Sequence, residues 1–161
     1  MSKKVVMIVD DDWMNREVIE AYLLNAGYEV VSAHNGEQAL QLAAQKSPDL
    51  VLLDLRMQGM NGIEVCRHLK AHPNTQQTPV LIVSALNSEQ QKTEAIAAGA
   101  DDFIPKPLDS MLMLNRIKSF ARFKQLAQAF DARQETLRSI LLRHVNSETA
   151  EAILAEFLLI Q

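Results

Sequence analysis

The stretch VVMIVDDDWMNREVI (residues 5–19) contains the pattern on which most of the chain is built. Its first five residues form a short Val- and Ile-rich run, which is typical of a strand buried on both faces. The residues from Trp13 onward have the spacing of a helix. Asp10, Asp11 and Asp12 lie between these segments, although neighbouring like charges repel one another. Asp12 fits the N-cap of the helix, with Trp13 as its first residue, so Asp10 and Asp11 need another explanation.

Short apolar runs alternate with helical segments along the chain. The five runs are Val5–Val9, Tyr28–Ala33, Leu50–Leu53, Val80–Val83 and Phe103–Ile104. Helical segments separate the runs, and each segment ends close to a Gly or a Pro. We expect four apolar residues to form one face of the first helix: Val18, Ile19, Tyr22 and Leu23. Five strand–helix units in strict alternation predict a parallel sheet with helices on both faces.

Composition excludes several classes of protein. The chain has 161 residues, of which 48% are hydrophobic and 22% are charged, as in ordinary globular proteins. Its net charge is −4 and it has no block of Lys or Arg, so we expect no nucleic-acid partner. Cys66 is the only cysteine, which fits a reducing cytosol and predicts a small packing residue. No apolar run has transmembrane length and no signal peptide is recognisable, so we expect a cytoplasmic protein without a membrane partner.

The pattern changes after Pro107. Residues 108–145 contain no Gly or Pro, which predicts one long helix. A 3-4 spacing along this helix indicates either a coiled-coil seam, which would make a homodimer through the fifth helix and its extension, or an amphipathic helix folded back on the first domain. The seam residues are Phe123, Leu126, Phe130, Leu137, Ile140 and His144, with Arg133 as the one charged interruption.

A second helix is predicted to follow the long one. Ser147 fits its N-cap and Glu148 its first turn. The segment from Thr149 to Gln161 stays apolar to its end, which suggests that it packs against a partner or a second copy. We therefore expect one domain over residues 1–121 and a helical linker over residues 122–161, leading to an output domain that this chain lacks.

Polar side chains lie where the predicted strands end. Asp10 and Asp11 end the first strand and Asp54 ends the third, while Ser84 and Lys106 end the fourth and fifth. In an open parallel sheet, ligands bind outside these carboxyl ends. Clustered carboxylates suit a hard cation, above all Mg²⁺, and a lysine with a hydroxyl suits a phosphoryl group. Each residue alone is more simply a cap or a turn former, but the joint pattern is specific.

Four segments carry a resemblance to a known family: IVDDD (8–12), LLDLRMQGMNG (52–62), VSA (83–85) and DDFIPKP (101–107). Together they resemble the receiver domain of two-component response regulators, over about residues 3–121. The resemblance implies a flavodoxin-like, doubly wound α/β fold with a five-stranded parallel sheet in the order 2-1-3-4-5, followed here by a long helical extension. It also implies a phosphoryl acceptor that dephosphorylates itself, rather than an enzyme with turnover.

The resemblance implies a role for each residue at the strand ends. Asp54 accepts a phosphoryl group from a sensor histidine kinase or a phosphotransfer protein. Mg²⁺ is bound directly by Asp11 and mostly through a bound water by Asp10, and Asp54 and the backbone carbonyl of Arg56 complete its protein ligands. The phosphoryl group is contacted by Lys106, by the Ser84 hydroxyl and by the backbone N–H of Ala85. Ser84 and Phe103 form the conformational switch.

The sequence departs from the family pattern at two positions. The family often has Pro where this chain has Gln58, and Phe where it has Leu108. Gln58 allows a more mobile loop, and Leu108 loosens the packing near the switch. Arg56 and Leu86 occupy the positions that tune hydrolysis of the acyl phosphate. Leu86 has no polar atom with which to orient a water molecule, so we expect a long-lived phosphoryl group.

The tail has a resemblance of its own. The segment LLRHVNSETAEAILAE (141–156) is similar to the sequence that precedes the catalytic domain of class III adenylate and guanylate cyclases. That family often has R-Y-V-S-P-E-V-A-E, which corresponds here to residues 143–151. The resemblance implies a nucleotide cyclase output in the full-length protein, and a dimer, because such cyclases work at a dimer interface.

Two other functions remain open from the sequence. A haloacid-dehalogenase-like phosphatase also uses a strand-end Asp with Mg²⁺, and Asp10 to Asp12 satisfy its D-x-D spacing, but Trp13 and Met14 do not fit its motif. A phosphorylation-independent interaction module with the receiver fold is the second alternative, although such modules usually lose an acid or the lysine.

Overall fold

The fold is a five-stranded parallel sheet between two layers of helices. A computed structural model describes residues 2–85, 88–145 and 147–159. The strands are β1 (Val5–Val9), β2 (Glu29–Ala33), β3 (Leu50–Asp54), β4 (Val80–Ser84) and β5 (Asp102–Pro105). They lie in the order β2-β1-β3-β4-β5, and each neighbouring pair is parallel. The expected flavodoxin-like architecture and its strand order are confirmed.

Six helices occur in the described residues: α1 (Trp13–Asn25), α2 (Gly36–Lys46), α3 (Gly62–Ala71), α4 (Glu89–Ala97), α5 (Ser110–His144) and α6 (Ser147–Leu159). The first four carry the chain from one strand to the next. Helix α5 runs for 35 residues without a break, as the absence of Gly and Pro predicted. None of the described helices combines the length and the apolar character that crossing a lipid bilayer would need.

Strand side chains alternate between two apolar layers, one on each face of the sheet. In β1, Met7 and Val9 belong to one layer, and Val6 and Ile8 belong to the other. Burial on both faces explains why the strands have no alternation of apolar and polar residues. Each such side chain stabilises the fold by about 1.5–3 kcal/mol. The central strands β1, β3 and β4 therefore give firm support to the residues at their ends.

The prediction for the apolar face of α1 is half wrong. Ile19 and Leu23 are buried against the sheet, but Val18 is 50% exposed and Tyr22 is 40% exposed. Residues four apart share a face of a helix, whereas the preceding residue lies about 100° around the axis. The face that contacts the sheet is narrow here. Val18 and Tyr22, with Met14 one turn earlier, form an exposed apolar stripe.

Backbone contacts divide the chain into one unit that ends at Ala121 and a second that begins at Arg122. Within the second unit, α6 returns along the last turns of α5. The Arg138 guanidinium lies 2.6 Å from the carboxylate of Glu151, and Ala150 is fully buried. The Arg138–Glu151 ion pair thus joins α6 to α5.

The proposed seam residues of α5 are largely exposed in the single chain. Phe123 is 70% exposed, and Leu126, Phe130 and Ile140 are also exposed. A coiled coil between two copies and a helix folded back on the first domain both stay predictions. The start of the last helix differs by one residue from the prediction, since Ser147 is its first residue and not its N-cap. The residue before it, Asn146, lies outside the described residues.

Cys66 provides a test of the core. Its side chain is fully buried within α3, and its Sγ lies 3.5 Å from the carbonyl oxygen of Ala98. Burial raises the pKa of the thiol to about 11. We therefore expect almost no reaction of the native protein with an aromatic disulfide reagent at mildly alkaline pH, and full reaction in denaturant. Rapid labelling of the folded protein would contradict this packing.

Candidate functional site

The register of the sheet brings the ends of β1 and β3 side by side. Val9 pairs with Leu53, so the next residues, Asp10 and Asp54, reach the same edge. Asp10, Asp11 and Asp54 each offer a carboxylate oxygen, and these oxygens lie within 4.8 Å of one another. Asp10 is 3% exposed and Asp54 is 6% exposed, whereas Asp11 lies at the surface. The structure thus brings together the three acids that the sequence singled out.

The first turn of α1 holds Asp10 in place. The Asp12 N–H donates to Oδ1 of Asp10 at 2.9 Å, and the Asn15 amide donates to Oδ2 at 3.2 Å. The Arg16 guanidinium donates to the backbone carbonyl of Asp10 at 2.7 Å. The Asp12 carboxylate itself accepts from the N–H of Met14 and is the N-cap of α1. The predicted role of Asp12 as the helix cap is confirmed.

Lys106 lies between the two buried acids. Its Nζ is 3.2 Å from Oδ1 of Asp54 and 3.7 Å from Oδ2 of Asp10. Its backbone N–H donates to the carbonyl oxygen of Ser84 at 3.2 Å, which ties the end of β5 to the end of β4. Among the described residues, no other cation forms an ion pair with these acids. Three carboxylates with one ammonium leave the site with an excess of negative charge.

The electrostatics of Asp54 reflect this excess. Burial raises the pKa of Asp54 above its ordinary value of 3.8. The positive charge of Lys106 lowers this pKa, and the negative charge of Asp10 raises it further. Hydrogen bonds from the Lys106 ammonium and from the Arg56 backbone also favour the carboxylate, but the net direction is upward. The charged form of Asp54 is therefore penalised in the folded state.

The loop between β3 and α3 packs tightly against Asp54. Asn61 and Glu64 form a capping box at the start of α3, with bonds of 3.0 and 2.9 Å. A Cβ on Gly62 would lie only 2.2 Å from the carbonyl oxygen of Asp54 and 2.8 Å from Cα of Leu55. Only glycine allows this close approach, which sets the position of the loop beside the site.

Three residues at the site were not predicted from the sequence: Asn15, Gln58 and Gly62. The backbone N–H of Gln58 donates to Oδ2 of Asp11 at 3.3 Å. The sequence did contain a local indication for Asn15, since this residue lies within the first turn of the helix that follows the acids. The bond from Gln58 had none, because a backbone N–H is present at almost every residue.

The other predicted site residues that the structure describes lie in β4 and β5 or just after β3 and β4. Ser84 is buried at the end of β4, and Ala85 follows it at the surface. Arg56 is exposed after β3, and Phe103 is partly buried against the apolar layer that contains Met7. Leu86, predicted to tune hydrolysis, lies outside the described residues.

A cleft of about 240 Å³ opens beside the acids. Asp10, Asn15 and Lys106 line its polar end, while Val18, Pro107 and Leu108 contribute to its apolar walls. The exposed stripe of α1 is thus continuous with the acidic site through Val18.

The donor set fits a hard divalent cation. All three clustered groups are carboxylates, two are buried, and the pKa of Asp54 is raised. Two carboxylates about 4 Å apart repel by roughly 4 kcal/mol at an effective dielectric near 20. The attraction of both carboxylates to a divalent cation between them would outweigh this repulsion. Oxygen-only ligands favour Mg²⁺ or Ca²⁺ over transition metals.

Comparison with known proteins gives one consistent result. The family pattern of the response regulator receiver domain matches residues 6–118. The chain is 38% identical over 133 residues to the response regulator PleD of Caulobacter vibrioides, covering 83% of this chain and 29% of PleD. It is 38% identical over 122 residues to the phosphate regulon regulator PhoB of Pseudomonas aeruginosa, covering 76% and 53% of the two chains. The chain thus spans about half or less of these two relatives.

Solved structures agree with the sequence matches. A putative response regulator from Chloroflexus aurantiacus superposes with a TM-score of 0.72 and 33% identity, covering 75% of this chain and 99% of that one. The chemotaxis protein CheY4 of Vibrio cholerae gives a TM-score of 0.71 and 28% identity, covering 74% and 99%. Both cover about three quarters of this chain and nearly all of the compared one.

The raised pKa of Asp54 leads to a prediction about stability. The charged form is penalised in the folded state, so Asp54→Asn should raise the melting temperature at neutral pH. As the pH falls through the raised pKa towards 3.8, wild-type Asp54 takes up a proton and the gain should shrink. Thermal unfolding of both proteins across this range checks the expectation.

Asp12→Asn is the matched control, since it changes a neighbouring acid but keeps a good N-cap residue. Its effect should be small at every pH. If Asp54→Asn raised the melting temperature equally at all pH values, or lowered it at neutral pH, the penalty on the charged form of Asp54 would be contradicted.

Proposed function

The chain belongs to the response regulator receiver domain family, and we propose that it receives a phosphoryl group on Asp54 and transmits this event through its C-terminal helices. One observation carries the proposal: a buried carboxylate at a strand end contacts a lysine and lies beside two further acids. A structural ion pair alone would need one acid, and here three converge. The donor would be a sensor histidine kinase or a phosphotransfer protein.

The reaction would be a transfer from nitrogen to oxygen. A carboxylate oxygen of Asp54 attacks the phosphorus of a phosphohistidine, and a new O–P bond forms while the N–P bond breaks. The electron pair of that bond returns to the imidazole, which takes a proton from solvent. Asp54 must be ionised to attack, and the Lys106 ammonium 3.2 Å away favours that form. Lys106 would then pair with the phosphoryl oxygens.

Mg²⁺ would be held by Asp10, Asp11, Asp54 and the backbone carbonyl of Arg56. The bound cation would offset the charge of the carboxylates and of the incoming phosphoryl group. The support for this site is the oxygen-only donor set and the excess of negative charge around one ammonium. The first turn of α1 orients Asp10 through hydrogen bonds from Asp12 and Asn15.

The end of β4 would sense the phosphoryl group. The Ser84 hydroxyl and the Ala85 N–H would donate to its oxygens, and movement of Ser84 would allow Phe103 to turn inward. Partial burial of Phe103 against the apolar layer suits a side chain with two positions. Arg56 and Leu86 would set the lifetime of the phosphoryl group.

The cleft beside the site would admit the donor. Its polar end contains Asp10 and Lys106, and its apolar walls continue into the exposed Val18 of α1. A helix that carries a phosphohistidine could pack on this stripe and reach Asp54 from the same side.

The helices after Ala121 would carry the output. Their apolar residues fit a homodimer, and the resemblance of residues 141–156 fits a linker to a nucleotide cyclase. In this interpretation, phosphorylation changes the pairing of two copies and thereby the activity of an attached domain.

Phosphorylation by a small donor tests the central proposal. Incubation with acetyl phosphate and Mg²⁺ should give one phosphoryl adduct on the wild-type chain, detected by intact-mass spectrometry and mapped to Asp54. Asp54→Asn should give none, because an amide oxygen is a poor nucleophile. Asp12→Asn, which alters only the helix cap, should be phosphorylated like the wild type. After removal of the donor, the adduct should persist for minutes or longer.

The same experiment separates the rival functions. Continuous release of phosphate from phosphate esters would support the phosphatase. A wild-type chain that formed neither an acetyl-phosphate adduct nor a beryllofluoride complex would support the interaction module. Either outcome would overturn the proposal.

The homodimer is tested by sedimentation of the beryllofluoride-bound chain. We expect a dimer for the wild type and a monomer for Phe130→Glu, which places a charge in the proposed seam. Gln128→Glu adds the same charge about half a turn away on α5 and should remain dimeric. A wild type that stays monomeric at high concentration would contradict the seam.

A further inference from the structure

Different parts of the fold hold the three acids. Asp10 accepts hydrogen bonds from the first turn of α1, and Asp54 accepts them from Lys106 and from the backbone of Arg56. Asp11 has neither kind of support. In the part of the chain that the structure describes, its only hydrogen-bond donor is the backbone N–H of Gln58, at 3.3 Å from Oδ2.

This bond depends on which residue occupies position 58. Proline has no N–H, so a chain with the Pro that the family often carries here could not form it. The side chain of Gln58 takes no part. The bond joins residues 47 positions apart, and it links the surface acid of the β1–α1 loop to the β3–α3 loop. Gly59 follows with a φ of 77°, so the chain turns directly after the donor.

We propose that the Gln58 N–H is a positioning group that orients the Asp11 carboxylate towards Asp10 and Asp54 and thereby strengthens Mg²⁺ binding. The inference rests on the proposed Mg²⁺ site. Asp11 is the exposed member of the three acids, so without a fixed partner its side chain has the most rotational freedom to lose when a cation binds. Because the hydrogen bond from Gln58 already restricts the Asp11 side chain, less rotational freedom is lost when the cation binds.

The bond is a poor means of neutralising the charge of Asp11 or of blocking its carboxylate. The N–H is neutral, so it leaves the full negative charge on Asp11 and the excess charge of the site unchanged. It uses one carboxylate oxygen, and Oδ1 has no hydrogen-bond donor in the described residues. The cation can therefore bind the carboxylate while the bond to the loop persists, as in metal sites where a neighbouring donor orients a ligand.

Two substitutions at one position isolate the N–H. Gln58→Pro removes it, whereas Gln58→Ala removes only the side chain and keeps the donor. Isothermal titration with MgCl₂, in the absence of any phosphoryl donor, measures the affinity directly. We expect Gln58→Ala to bind like the wild type, and Gln58→Pro to bind more weakly by a factor of about three to ten. Without Mg²⁺, circular dichroism should show that both variants are folded.

A measurement on the wild type avoids the effect of proline on the backbone. The exchange of the Gln58 amide proton with solvent can be followed by NMR at increasing MgCl₂. A positioning bond predicts that this proton becomes more protected as the site fills. Faster exchange would show that the cation displaces the bond, and would overturn the inference.

The outcomes separate this inference from the proposal beneath it. Asp11→Asn, which lacks one of the acids, is the reference for lost Mg²⁺ binding. If the wild type bound Mg²⁺ no better than this variant, both the cation site and the role of Gln58 would be overturned. A wild type that bound Mg²⁺ with the same affinity as Gln58→Pro and Gln58→Ala would leave the site intact and remove the role of the N–H. Equal weakening of the two variants would assign the effect to the side chain and would also overturn the inference.

Discussion

Mutual repulsion of three carboxylates at one edge of the sheet is the constraint on which the rest of the structure depends. The parallel register of β1 and β3 forces Asp10 and Asp54 together, and the central strands are too well buried on both faces to relax apart. Three parts of the fold donate hydrogen bonds to these carboxylates: the start of α1, the lysine after β5 and the loop after β3. None of these donors fully removes the excess negative charge, which favours a cation at this edge.

The same constraint explains how far the sequence could be interpreted. Strand periodicity and the residue after each strand depend on local chemistry, so the parallel sheet and the polar residues at its strand ends could be predicted. The strand order, and with it the convergence of Asp10, Asp54 and Lys106, was implied only by the resemblance to receiver domains. The cap at Asp12 was likewise local. The support given by Gln58 could not be predicted, because a backbone donor has no residue type and because the loop reaches Asp11 only through tertiary packing.

Helical periodicity was a weaker guide than strand periodicity. In α1 it selected four apolar residues, of which the fold buries two, because the contact with a flat sheet covers a narrow strip of a helix. In α5 the pattern indicates an apolar face but does not identify what covers it. Helix α6 contacts α5 through the ion pair between Glu151 and Arg138, a contact that heptad spacing alone did not indicate.

The position of Trp13 has a practical consequence. It is the only tryptophan in the chain, it lies directly after the capping Asp12, and its indole is largely exposed. The intrinsic fluorescence of the protein therefore comes almost entirely from one side chain at the border of the acidic site. Solvent exposure makes this emission sensitive to nearby charge and to a partner that covers α1. The molecule thus contains its own optical probe, and events at its acidic edge can be followed without attaching a dye.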